Sequence, residues 1–72
     1  MTNIVDKPTV VTVAIPLLSK WTDTVDPITY RVIGISAIGI EVRCFSTATG
    51  KVWTDRLPRA CFGTELIELV TL

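Results

Sequence analysis

Apolar and polar positions alternate with a period of two through most of the chain, which predicts strands rather than helices. In residues 9–18, TVVTVAIPLL, Val11, Val13, Ile15 and Leu17 share one alternation and Val10, Thr12 and Ala14 the other, and the β-branched content predicts a first strand. Pro16 cannot donate a ladder hydrogen bond, so that end belongs on a sheet edge, at a bulge or in the outgoing loop. The next stretch, SKWTDTVDP, is polar except for Trp21 and Val25 and closes on the turn-favouring pair Asp26-Pro27, so it reads as a long exposed loop. ITYRVIGI, residues 28–35, predicts a second strand with a bend or bulge at Gly34, and IEVRCFS, residues 40–46, a third.

Residues 47–50, TATG, turn the chain, because glycine tolerates the left-handed conformation of a type I turn followed by a bulge. KVWTDRL, residues 51–57, runs back as a fourth strand. With Thr47 opposite Lys51, Phe45 faces Trp53 and Arg43 faces Asp55, the register preferred for its glycine placement; with Ser46 opposite Lys51, Glu41 faces Arg56 instead. Pro58 to Gly63 suits a single 3₁₀ turn. ELIELVT, residues 65–71, predicts a fifth strand, with a short helix capped by Thr64 as its competitor.

Strand, long loop, strand, short link, strand, tight hairpin, strand, 3₁₀ turn, strand: over residues 9–71 this order resembles small SH3-like barrels, a group that includes Tudor and KOW modules. The peptide-binding members carry an acidic Ala-Leu-Tyr-Asp-Tyr-like signature in the first loop, which this chain lacks. The resemblance implies an all-β, five-stranded SH3-like barrel over residues 9–72 with a 3₁₀ turn before the last strand, behind a flexible segment of residues 1–8. It does not by itself assign a function.

Composition narrows the chemistry. At 72 residues the chain makes one domain, and it buries only about 60% of its unfolded surface, so its stability is marginal. Seven basic residues balance seven acidic ones, so no overall field marks a nucleic-acid binder. The stretch from Arg31 to Arg59 nevertheless holds Arg31, Arg43, Lys51, Arg56 and Arg59 against Glu41 and Asp55. No apolar run approaches the roughly 18 residues of a membrane span, and MTNIVDKPTV lacks a secretory pattern, so the expectation is a soluble, complete, cytoplasmic chain without membrane contact.

Catalytic and metal-binding readings find little material. The chain has no histidine, and Cys44 and Cys61 match no zinc or redox spacing, so they read as buried or half-buried thiols. Asp23, Asp26 and Asp55 lack the dense oxygen spacing of a calcium loop. Thr49-Gly50-Lys51 has the Gly-Lys step of a phosphate loop, but Phe45 stands where the first glycine should be and Val52 where Ser or Thr should follow. The expectation is therefore no enzyme, cofactor or metal.

Binding is better supplied. Trp21 in its polar stretch is either a lid on the core or an interface anchor, and Trp53 either core or an exposed platform beside Phe45. With Tyr30, Arg31, Arg43, Arg56 and Arg59 they form the candidate partner-binding set, arginine supplying planar donors for carboxylate or phosphate. The primary reading is a small non-enzymatic protein-binding module, through that surface or an exposed sheet edge. This is the format of phage or plasmid proteins that block or redirect a larger host protein. Apolar residues on both alternations of the strands also predict a homodimer. The alternative is a KOW- or Tudor-like nucleic-acid binder using Arg31, Arg43, Lys51, Arg56 and Arg59 on phosphates and Trp21 or Trp53 on bases.

Overall fold

The computed structural model describes residues 13–70, and within them every regular element but one is a strand. β1 (Lys20–Asp23), β2 (Ile28–Ser36), β3 (Gly39–Ser46), β4 (Val52–Leu57) and β5 (Leu66–Glu68) form one antiparallel sheet in the order β4-β3-β2-β1-β5. β1 to β4 form a meander. The 3₁₀ turn Arg59–Cys61 then carries the chain back so that β5 lies beside β1. No ladder joins β4 to β5, so the sheet is open rather than closed into a barrel.

The first strand expected from the sequence is displaced. Residues 9–12 lie outside the described residues, and residues 13–18 carry no strand: Ile15 is buried in the core, and Pro16–Ser19 make a turn closed by Ser19 N–H to Pro16 O at 3.1 Å. The stretch read as an exposed loop instead supplies β1, which lies between β2 and β5. The reason is Trp21. Its side chain is 1% exposed and meets Phe62 edge-on, with ring centroids 5.0 Å apart and planes at 84°. Its indole N–H donates to Ser19 Oγ at 2.8 Å, and that hydroxyl donates onward to Pro16 O. Burying the indole outweighs the polar character of its neighbours, whose backbone groups are satisfied by β2 and β5. Leu18 takes a left-handed φ of 69°, which is strained for leucine; its N–H donates to Val32 O and its carbonyl accepts from Arg31 Nη1.

The rest of the core lies on one face of the sheet: Tyr30 and Val32 from β2, Ile40, Val42 and Cys44 from β3, Leu66 from β5, with Ile15 and Phe62 packed over them. Alternation on β3 is complete, with positions 40, 42, 44 and 46 buried and 41, 43 and 45 exposed. The expected irregularity at Gly34 is a bulge: Val32 pairs with Val42 but Gly34 with Glu41, which leaves Ile33 unpaired.

The hairpin takes the second of the two registers. Phe45 pairs with Val52, Cys44 with Trp53 and Glu41 with Arg56, so neither the Phe45–Trp53 nor the Arg43–Asp55 pair exists. Ser46 decides this: its N–H donates to Lys51 O, its carbonyl accepts from Gly50 N–H, and its Oγ accepts from Thr49 N–H. Gly50 has a φ of 78°, the left-handed position anticipated, but within a loop closed by Ser46 and Lys51. The last segment is strand over Leu66–Glu68, not helix.

Replacing Ser19 by Ala leaves the buried Trp21 N–H without its acceptor and should cost about 1–3 kcal/mol. Urea unfolding measures it; a Ser19→Ala midpoint equal to wild type would show that the indole bond is not needed.

Candidate functional site

Two solvent-facing features stand out: the outer face of the sheet, opposite the core, and the edge at β4, which no other strand among the described residues covers. The strand pairings align the outer face in rows. Lys20 lies opposite Arg31, Arg31 opposite Arg43, and Arg43 opposite Thr54, so three cations stand side by side on three neighbouring strands. The adjacent row runs Ile67, Thr22, Thr29, Phe45, Val52. A shallow concavity of about 220 Å³ is lined by Lys20, Thr29, Tyr30, Arg31, Arg43 and Phe45, with no carboxylate among them. Like charges directly opposite across a ladder are destabilising. The Lys20–Arg31 pair sits where side chains approach most closely, because the neighbouring ladder bonds are made by Val32, whose N–H donates to Ser19 O and whose carbonyl accepts from Leu18 N–H.

The nearby acidic groups are engaged by other partners. Glu41 is engaged by Arg56, 3.4 Å away, in a pair with both side chains about half exposed, worth a few tenths of a kcal/mol. Asp23 ends β1, and its carboxylate caps the β1–β2 loop: Oδ1 accepts the N–H groups of Val25 (2.8 Å) and Asp26 (3.1 Å) and Oδ2 accepts from Tyr30 OH at 3.1 Å. The bonds from Val25 and Asp26 hold its carboxyl below the ordinary aspartate range. Burial, then the bond to Asp23, pushes the Tyr30 phenol well above its usual value.

At the other feature, β4 ends the sheet. Ser46 N–H bonds Lys51 O, so the pairs alternating from it (Cys44 with Trp53, Val42 with Asp55) point their backbone groups at each other. The N–H and C=O groups of Val52, Thr54 and Arg56 therefore point away from the sheet. Arg56 N–H is taken by Asp55 Oδ1 at 2.8 Å. Val52, 58% exposed, and Trp53, 37% exposed, lie on opposite faces of this strand. The opposite edge is shorter, three residues, and Leu66 there bridges Phe62.

The sequence candidates thus separate. Trp21 is in the core, the lid reading of the two left open for it, and the Tyr30 ring is buried beside it. Arg31 and Arg43 stand together on the outer face; Arg56 shares that face but is paired, and Arg59 sits on the 3₁₀ turn. Trp53 is partly exposed on the free strand. Lys20 was missed because its segment was read as a loop; strand alternation around a buried Trp21 is the signal that places it.

Cys44 is buried, Cys61 half-buried, and both are free. Burial raises both thiols, with Asp55 adding to it at Cys44 and Glu65 at Cys61, so the unreactive protonated form prevails at neutral pH. Among the described residues no three His, Cys, Asp or Glu side chains gather as a metal site, and no helix is long and apolar enough to cross a membrane. The chain matches no protein-family model, no curated protein and no solved structure.

Because Arg43 faces Arg31, Arg43→Thr should stabilise the free protein by about 0.2–1 kcal/mol; a lower melting temperature would contradict the repulsive row. Asp23, with its folded-state pKa lowered, contributes stability above the ordinary value of about 3.9 that is lost as pH falls through the lower folded value. Thermal unfolding should show wild type more stable than Asp23→Asn at pH 7, with the gap closing below about pH 4. A gap independent of pH would contradict the assignment.

Proposed function

We propose that the chain is a non-enzymatic protein-binding module that accepts an extended partner segment along β4. The observation that carries this is the edge itself: a terminal strand of six residues, with the backbone groups of Val52 and Thr54 turned outward and apolar side chains exposed on both faces. An added antiparallel strand satisfies those groups and sets its alternate side chains beside Trp53 on one face and Val52 on the other. Strand order and the 3₁₀ turn suit an SH3-like barrel opened between β4 and β5, with a partner strand occupying the gap. A small cytoplasmic protein of phage or plasmid type that seizes a strand of a larger host protein fits this format. Pairing of two copies through the same edge is its homodimeric form.

Thr54→Pro tests the proposal selectively. Thr54 N–H points outward, so proline removes an edge donor and crowds the approach while the β3 ladder persists; Thr54→Ala keeps the donor. Affinity capture from source-cell lysate, with nuclease added, should recover a protein with wild type and Thr54→Ala but not with a folded Thr54→Pro. Equal capture by Thr54→Pro would overturn the edge as the site.

A further inference from the structure

The outer face lies apart from the β4 edge and carries a feature that strand addition does not use. Lys20, Arg31 and Arg43 hold like charges in register across three strands, at a repulsive cost, and no carboxylate lines the concavity they share. Arg31 Nη1 donates to Leu18 O at 3.2 Å, which fixes that side chain over the sheet. Phe45, 42% exposed, stands two residues from Arg43 on β3 and opposite Thr29. Neighbouring strands lie about 4.8 Å apart, so the row spans roughly 10 Å. That length admits more than one anionic group, and the aromatic face lies to one side of the row.

We propose that this concavity binds a short stretch of single-stranded nucleic acid, with phosphates on Lys20, Arg31 and Arg43 and one base stacked on Phe45. Cations in a line beside an aromatic ring are the two elements of backbone-tracking, sequence-tolerant recognition. An acidic peptide would use the cations but not the ring face. The anion removes the mutual repulsion of the row, so affinity is gained where the free fold loses stability.

The test is fluorescence anisotropy with labelled ten-nucleotide oligo-dT and oligo-U. Saturable binding is expected at low salt, with the logarithm of affinity falling against that of salt at a slope of about −2, from three contacts at about 0.7 each. Arg43→Ala should make that slope shallower by about 0.7, and the Arg31→Ala/Arg43→Ala pair should abolish binding. Phe45→Ala should weaken binding about fivefold or more with the slope unchanged, because a stacked base is worth about 1 kcal/mol or more. Circular dichroism checks folding; Arg43, whose side chain makes no hydrogen bond or ion pair among the described residues, keeps the test sound if Arg31→Ala unfolds. Absence of saturable binding, or full binding by Arg43→Ala, overturns the proposal. Competition by a polyglutamate peptide or by inorganic phosphate as effective as unlabelled oligo-dT also overturns it, in favour of an acidic protein segment or a simple anion.

Discussion

A single indole organises the sheet. Trp21 sits in a segment whose other residues favour solvent, yet its burial removes an aromatic surface of about 150–250 Å² from water, worth roughly 4–6 kcal/mol as an upper figure. That is a large share of the stability of a domain this small. It draws Lys20–Asp23 into the sheet as β1, and β1 is the strand to which β5 is laddered. Phe62, at the end of the 3₁₀ turn, closes on the indole from the other side. Ser19 supplies the polar partner that lets the ring be buried without an unsatisfied N–H. The docking of Trp21 therefore fixes both the place of β1 between β2 and β5 and the face on which Lys20 stands.

Elements whose local pattern and tertiary role agree were legible in the sequence. β2, β3 and β4 form where their residues predict strands, with clean alternation on β3, Gly34 marks the bulge, Gly50 takes its left-handed turn and the Pro58–Gly63 stretch makes its 3₁₀ turn. Legibility failed where a few contacts outvoted composition. Residues 13–18 look like a strand, but Pro16 is placed in a turn and Ile15 is held in the core. The hairpin register depended on how Ser46 closes its loop, a bond invisible to strand alternation. Of the site, Arg31, Arg43 and Trp53 could be named as exposed candidates, whereas the row with Lys20 required the β1 register.

The open sheet leaves two surfaces with different chemistry. The β4 edge offers outward backbone groups of Val52 and Thr54 that no described residue pairs, flanked by the exposed side chains of Val52 and Trp53. The outer face offers charge, with Lys20, Arg31 and Arg43 aligned there, Glu41 taken by Arg56, and the Asp23 carboxylate turned to Tyr30 and the N–H groups of Val25 and Asp26. Zero net charge thus conceals a local separation: three cations stand in a row beside the ion pair of Glu41 with Arg56. A small core can carry such separation because the repulsion across the row amounts to tenths of a kcal/mol per pair, well below what the Trp21 contact contributes.

Accessibility of the two tryptophans tests most directly whether Trp21 docking organises the fold. In Trp53→Phe the emission comes from Trp21 alone, and in Trp21→Phe from Trp53 alone. The predicted result is blue-shifted emission that resists acrylamide for Trp21, with red-shifted, readily quenched emission for Trp53. Quenching of Trp21 as efficient as that of free tryptophan in the folded protein would contradict it, because β1 would then have nothing to hold it in the sheet.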